Sequence, residues 1–148
     1  MDDRIEQLLS GQHYKKFQEA AYAGIMQEYA LTSLDVRVLL FLEEHGNTNT
    51  ARDIVNMHHF TKSNVSKSID TLLERGYLQK EYDVHDRRCI HLQVQQSAAP
   101  IVQAVKKCNE EMNRILFRGI SEEEMETIRQ VAKKIAGNMT EAMRQNGH

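Results

Sequence analysis

Residues 61 to 78, TKSNVSKSIDTLLERGYL, decide the fold of this chain. Their apolar side chains recur at i, i+4, i+7 and i+8, the spacing of one helix face: Val65, Ile69, Leu72 and Leu73. Thr61 is a start signal for this helix and Gly76 is a stop signal. The opposite face carries hydroxyls, one amide and two lysines, with no acidic side chain before Asp70. Such a face favours a negatively charged partner.

Two shorter helices precede this segment. Thr32 and Asp35 form a capping-box-like start for LDVRVLLFLEEHG, and Gly46 ends that helix. After the polar stretch NTNT, Thr50 and Asp53 repeat the start signal and begin the helix ARDIVNM. The sequence therefore predicts three successive helices joined by short connections.

A β-hairpin is predicted after Gly76. The stretch YLQKEYDVHDRRCIHLQV, residues 77 to 94, alternates apolar and polar side chains around the polar centre VHDRR, so the tip lies near Val84 to Arg87. Three helices and a hairpin, from about residue 34 to 94, have the order of a winged helix-turn-helix. In that fold the second helix of the turn enters the DNA major groove. The predicted fold class is mainly α (α+β).

Long helices flank this lobe on both sides. Residues 5 to 29 have roughly helical spacing, Ser97 is a start signal for a helix with an apolar seam, and Ser121 with Glu124 forms a capping box before a long apolar stripe. The central lobe is too small to cover these faces. We therefore predict one domain, residues 1–148, in which about 1–30 and 97–146 are the dimerisation helices of a homodimer.

The predicted DNA contacts lie on the acid-free helix face and at the hairpin tip. Short polar side chains let a helix approach base edges closely, and cations neutralise phosphates. The helix residues are Thr61, Lys62, Ser63, Asn64, Ser66 and Lys67, and the tip residues are His85, Arg87 and Arg88. A plainer interpretation is a well-capped surface helix and a solvated hairpin tip, with Arg88 in a structural ion pair.

Composition excludes several other classes. The chain has 148 residues and a net charge of −2, and its longest apolar run, VLLFL at 38–42, is far too short to span a membrane. Phosphate-binding glycine loops and nucleophile elbows are absent from the sequence, so we expect no enzyme and no cofactor. Cys89 and Cys108 form no disulfide framework, which indicates a cytoplasmic protein. The seven histidines lack ligand spacing, so no metal is expected, and redox sensing by the cysteines is the minority hypothesis.

The run from ARDIV to DRRCIHL resembles the MarR (multiple-antibiotic-resistance regulator) family of dimeric winged-helix transcription factors. Its most specific element is DVHDRR, which matches the family's D-x-x-D-R-R wing at Asp83, Asp86, Arg87 and Arg88. The motifs K-x-x-V-S-x-x-I-x-x-L and R-G-Y-L precede it at the right distance, and the long flanking helices extend the resemblance over nearly the whole chain. Glu81 departs from the family, which often has a basic residue there, and Ala98 stands near a position where the family has glycine.

This resemblance implies roles for individual residues. Asp83 and Asp86 structure the wing, with Asp86 pairing with a neighbouring arginine, and Arg87 is left to insert into the groove. A small aromatic or anionic effector is expected between the dimer helices and the DNA-binding lobe. Its candidate lining residues are His13, Tyr14, Phe17, Arg37 and Met112.

The expected function is that of a ligand-responsive regulator, typically a repressor, which binds a pseudo-palindromic operator in double-stranded DNA. Two alternatives stay open. The chain could be an architectural DNA-binding protein with little sequence preference, or a winged-helix protein-interaction module.

Overall fold

The computed structural model describes residues 2–46, 49–58 and 61–147, and only the backbone of Met57 and His58. The chain forms two compact units, Met1–Met112 and Asn113–His148. The helices are α1 (Asp3–Ser10), α2 (Gln12–Tyr29), α3 (Ser33–Glu44), α4 (Ala51–His58), α5 (Lys62–Glu74), α6 (Ala99–Leu116) and α7 (Glu122–Gln145). Strands β1 (Leu78–Tyr82) and β2 (Ile90–Val94) form an antiparallel pair. The predicted winged-helix order is confirmed.

The N-terminal helix is interrupted, whereas the sequence predicted one helix from residue 5 to 29. Gly11 adopts a left-handed φ of 73° between α1 and α2, and its N–H donates to the carbonyl of Leu8. Glycine reaches this conformation without the strain that a Cβ would cause. The apolar spacing continues across the break, which is why periodicity alone missed it.

A buried polar contact joins α3 to α5. One carboxylate oxygen of Asp35 accepts the backbone N–H of Thr32 at 2.9 Å and completes the predicted capping box. The other oxygen accepts the hydroxyl of Ser68, which is buried on α5, at 2.5 Å. Asp35 therefore starts α3 and fixes the rotation of α5 against it.

The C-terminal end of α5 is held by Arg75. Its guanidinium donates to the carbonyl oxygens of Tyr29 at 2.8 Å and Ala30 at 3.0 Å, at the end of α2. Carbonyls at a helix C-terminus lack partners within the helix and carry partial negative charge. The arginine satisfies them, so α5 is positioned at both ends.

The core of the first unit lies between these helices and the hairpin. Its largest fully buried side chains are Tyr22, Leu39, Ile54, Leu72, Ile101, Val36, Val38, Val65 and Val105. The hairpin pairs Leu78 with Val94 and Tyr82 with Ile90, and the N–H of Leu92 donates to the carbonyl of Asn49, which precedes α4. The hairpin predicted from the alternating pattern is confirmed.

The start of α6 differs from the prediction. Residues Gln96–Ala98 form a short 3₁₀ turn, and the Ser97 hydroxyl donates to the carbonyl of Gly76 at 2.7 Å instead of capping the helix. The α-helix begins at Ala99, with Pro100 in its first turn, where a backbone N–H would have no helical partner.

The second unit consists of the end of α6 and the whole of α7. The Ser121 and Glu124 capping box is confirmed, and the Ser121 N–H, followed by the Ser121 hydroxyl, lowers the pKa of Glu124. No side chain of α7 is buried. None of the described helices combines the length and apolarity that crossing a membrane requires.

Candidate nucleic-acid interface

The start of α5 presents the polar face that the sequence predicted. Thr61 caps the helix by accepting the N–H of Asn64 at 3.4 Å. The side chains that follow are exposed at five positions: Lys62, Ser63, Asn64, Ser66 and Lys67. Val65 is fully buried among them and anchors the face to the core. The five exposed side chains form one continuous surface, because in the first two turns the side of α5 that carries Val65 packs against the core.

Electrostatics at this helix start favour an anion. The first turn of α5 contains no acidic side chain, unlike the first turns of α3, α4 and α7. Unpaired N–H groups and the helix dipole leave partial positive charge at a helix N-terminus. Lys62 and Lys67 add full charges beside it. Phosphate oxygens are therefore suited to this surface.

A short loop, residues 83–89, forms the tip of the wing. Asp83 accepts the N–H of His85 at 2.7 Å, and Asp86 accepts the N–H of Arg88 at 3.0 Å. Backbone bonds from Asp83 to Cys89 and from Cys89 to Asp86 close the loop. Both aspartates thus make the local contacts expected of wing-structuring residues.

The two tip arginines differ in their contacts. Arg88 pairs with Asp86 at 3.3 Å, but its side chain is 94% exposed, so the pair contributes little to stability. Arg87 forms no ion pair within residues 2–46, 49–58 and 61–147, and it is exposed together with His85. Arg87 is therefore the cation of this loop that can reach a partner without breaking an existing contact.

A cavity of about 350 Å³ beside α5 reveals a cation that the sequence interpretation missed. It is lined by Ala51, Arg52, Val55, Lys62 and Ser66. Arg52 is exposed in the first turn of α4 and extends the basic surface of α5. Its position two residues after the Thr50 start signal could have identified it, because the first helix of a helix-turn-helix crosses the DNA backbone.

A second group missed by the sequence analysis lies at the root of the wing. The His91 ring is placed between Asn49, whose Oδ1 is 2.6 Å from Nδ1, and Asp83, whose Oδ2 is 3.3 Å from Nε2. The Cys89 Sγ lies 3.9 Å from the same Nε2. The His85 N–H, and after it the His91 ring, lowers the pKa of Asp83. The signal was Cys-x-His, which places two donors on one face of a strand, but its partners lie far away in sequence.

The remaining histidines include two that lie outside the described residues, His59 and His148. Cys108 is half-buried on α6, where its thiol donates to the carbonyl of Ala21 at 3.2 Å and burial raises its pKa. This environment fits the interpretation of Cys108 as a small buried side chain.

The five effector candidates occupy different environments. His13 and Tyr14 are exposed on α2, Phe17 and Arg37 are half-buried, and Met112 is buried in the core of the first unit. Burial raises the pKa of the neighbouring Tyr22, whose hydroxyl donates to Asn109 at 2.6 Å; Tyr14 adds to this shift and Arg37 opposes it. Tyr14 and Arg37 therefore lie within electrostatic range of one phenol.

Comparison with known protein families indicates which proteins the α5 region and the wing resemble. Residues 31–88, from the end of α2 to the wing arginines, match the model of the MarR family. Over these residues the chain is similar to MarR-family proteins. The resemblance predicted from the wing motif is confirmed, and the MarR match includes the whole of α5 and residues 83–88 of the loop that follows β1.

Solved MarR-type structures extend the likeness beyond the matched residues. The structure of S. aureus MepR in complex with DNA has a TM-score of 0.77 at 19% identity and covers 94% of this chain and 96% of its own. A MarR/EmrR family regulator from Acinetobacter sp. ADP1 has a TM-score of 0.78 at 15% identity, covering 94% and 97%. Bordetella bronchiseptica BpsR, whose DNA binding is regulated by 6-hydroxynicotinic acid, has a TM-score of 0.69 at 20% identity, covering 90% and 98%. At these identities the likeness confirms the fold.

Proposed function

We propose that this protein is a homodimeric, sequence-specific DNA-binding transcriptional regulator. The observation that carries the proposal is the exposed, acid-free start of α5 beside a wing that presents Arg87. Similarity to a regulator family over residues 31–88 supports it, and the MepR structure contains DNA on the same fold. Regulation of transcription, and not catalysis, is the activity of that family.

In the proposed complex, α5 lies in the major groove. Asn64 offers an amide that can pair with an adenine edge, while Ser63 and Ser66 are short enough for close approach. Lys62, Lys67 and the Thr61 hydroxyl contact phosphates. The wing places Arg87 in the adjacent minor groove, with His85 and Arg88 at the backbone.

Two copies are needed for a palindromic site, and the exposed apolar side chains favour a dimer. Large exposed hydrophobics among the described residues lie, except for Tyr82 and Val84, in α1, α2, the end of α6 and its following turn, and α7. These elements fall within the proposed dimerisation segments, about 1–30 and 97–146. A two-fold axis between them would set the α5 helices about one DNA turn apart, roughly 34 to 36 Å.

We also propose that a small ligand controls this dimer and that the usual outcome is repression. In the relative BpsR, DNA binding is regulated by the small molecule 6-hydroxynicotinic acid, which supports the first part of this proposal. A ligand acts only if it binds one spacing of the two α5 helices more tightly than another. The proposed lining of the ligand pocket consists of His13, Tyr14, Phe17, Arg37 and Met112. A role on DNA also leads us to propose a cytoplasmic location.

The test is a binding titration over a salt series. A duplex selected by the protein from a random library is compared with a scrambled duplex of equal length and base composition. Affinity that falls with salt, together with a preference above roughly a thousandfold for the selected duplex, supports the regulator. Equal affinity for both duplexes would make the protein architectural, and no binding at low salt would make the winged helix a protein-interaction module.

A further inference from the structure

We infer that the root of the wing binds a divalent transition-metal ion, with Zn²⁺ as the best fit, through Asp83 Oδ2, Cys89 Sγ and His91 Nε2. These three atoms all lie within 4.8 Å of one another. The three residues are half-buried, which keeps the donors accessible to an ion while limiting competition from water. This site does not overlap the proposed DNA contacts.

Two of the three donor separations are close to those around a tetrahedral ion. For ligand bonds of about 2.0 to 2.3 Å around tetrahedral zinc, neighbouring donor atoms lie about 3.3 to 3.6 Å apart. The His91 Nε2 is 3.3 Å from the Asp83 oxygen and 3.9 Å from the Cys89 sulfur. Closing the second distance requires a movement of only a few tenths of an ångström.

Asn49 prepares His91 for this role. Its side-chain oxygen is 2.6 Å from His91 Nδ1, a position that accepts the Nδ1–H. The neutral ring then has its lone pair on Nε2, which faces a carboxylate oxygen at 3.3 Å. A metal cation placed between these two atoms would bond to both. Metal-binding histidines typically donate their other ring N–H to an oxygen in this way.

The donor set also selects the ion. A thiolate, an imidazole and a carboxylate together favour Zn²⁺ over Mg²⁺ or Ca²⁺, which prefer oxygen ligands alone. Asp83 keeps one oxygen for the His85 N–H, so its other oxygen is available to the metal. Three protein ligands leave a fourth position for water.

Binding at this position would cross-link the two ends of the wing loop. Asp83 follows β1 directly, Cys89 immediately precedes β2, and His91 is the second residue of β2. The loop between them carries Arg87 and Arg88. An ion at its base would hold both ends of the loop by three coordination bonds and order it, so it strengthens DNA binding; this consequence, unlike the site itself, rests on the proposed function.

The site is tested first without DNA. Tag-free, reduced protein is titrated with Co²⁺, a spectroscopic substitute for Zn²⁺, and the expected result is a near-ultraviolet thiolate-to-cobalt absorption that one equivalent of Zn²⁺ removes. Cys89→Ser should abolish this absorption, while the matched variant Cys108→Ser keeps it. His91→Gln should weaken metal binding by at least about tenfold. His85→Gln, a substitution within the wing loop, should leave metal binding unchanged.

Several results would overturn the site. They are the absence of a thiolate absorption in the parent protein, its persistence in Cys89→Ser, or its loss in Cys108→Ser. Circular dichroism of each variant identifies a loss that comes from unfolding, and Asn49→Ala then serves as a second variant, with an expected loss of about tenfold or more in metal affinity.

The effect on DNA is measured separately, with the selected duplex and with Zn²⁺ or a chelator. A chelator should weaken binding by the parent protein and not by Cys89→Ser. Metal binding without this difference would leave the site standing and overturn its effect on the wing. Absence of DNA binding under every condition would contradict the proposed function and not the metal site.

Discussion

The winged lobe and α7 use their apolar residues in opposite ways. In the lobe, α3 buries most of its apolar side chains, and the buried polar groups Asp35 and Ser68 form a hydrogen bond with each other. In α7, 24 residues long, no side chain is buried, although Ile128, Val131, Met139 and Met143 follow one helical stripe. A helix gains most of its stability from packing. The lobe is therefore specified within one chain, while α7 requires a second surface.

The largest expected effect comes from a charge on the α7 stripe. Ile128→Asp should raise the dimer dissociation constant by about a hundredfold or more, because association would desolvate a carboxylate in each copy. Sedimentation velocity over a concentration series measures this. Gln130→Asp adds the same charge about 200° around the helix and should leave the dimer intact. Equal behaviour of the two variants would contradict the assignment of this stripe to the interface.

A second substitution tests the self-sufficiency of the lobe. Asp35→Ala should lower the free energy of unfolding by about 2 to 3 kcal/mol, because the buried Ser68 hydroxyl loses its acceptor and α3 loses its cap. Asp53→Ala is the control: Asp53 makes the same capping contacts with Thr50, at 3.1 and 3.2 Å, and within residues 2–46, 49–58 and 61–147 its side chain bonds to no other helix. Asp53→Ala should lower the free energy of unfolding, measured by urea denaturation, by about 1 kcal/mol. Equal costs would show that the Asp35–Ser68 contact adds nothing beyond capping.

A substitution at Asn64 distinguishes a base contact from a contact with the DNA backbone on the exposed face of α5. Asn64→Ala should weaken binding to the selected duplex by about 1 to 3 kcal/mol and leave the scrambled duplex unaffected, because base contacts carry the sequence preference. Fluorescence anisotropy on both duplexes measures this. Equal losses on both would assign Asn64 to the DNA backbone.

Arg87 should act on every duplex. Arg87→Ala is expected to weaken binding uniformly and to reduce the slope of log affinity against log salt by about 1, since one phosphate neutralisation is lost. Arg4→Ala removes an exposed arginine that pairs with Asp2 at 3.1 Å in the N-terminal region, outside the proposed contacts. It should not change the slope. A slope unaltered in Arg87→Ala would place that side chain away from phosphate.

The smallest effect concerns the start of α7. The pKa of Glu124 is lowered from 4.5 in the folded chain, so its cap contributes stability above that value and loses it as the pH falls through the lowered pKa. The stability difference between the parent protein and Glu124→Gln should therefore shrink as the pH falls below about 4.5. Thermal unfolding at a series of pH values measures it. A difference independent of pH would show that the charge of Glu124 has no role.

The features that the sequence predicted correctly depend on contacts between residues close together in the chain. The capping boxes at Thr32, Thr50 and Ser121, the stop at Gly76 and the wing motif each involve residues a few positions apart, and all form as predicted. Gly11 was missed because glycine is also tolerated within a helical pattern.

The contacts that position the candidate sites could not be predicted from local sequence patterns, because they join residues far apart in the chain. Asp35 and Ser68 are 33 residues apart, Arg75 and Tyr29 are 46 apart, and Asn49 and His91 are 42 apart. Nothing local distinguishes these polar residues from surface ones, since their partners are set by how the helices pack. The exposed polar face of α5, which we propose contacts bases, was predictable because it needs no partner within the chain.

The carbonyl of Asn49 has one more consequence, through the Leu92 N–H that it accepts at 2.9 Å. Strand β2 pairs with β1 along one side, and this bond occupies a donor on the other. An open strand edge can recruit a foreign strand and begin aggregation. The backbone before α4 therefore occupies one donor of the outer edge of the wing, which is then closed at that position to a foreign strand.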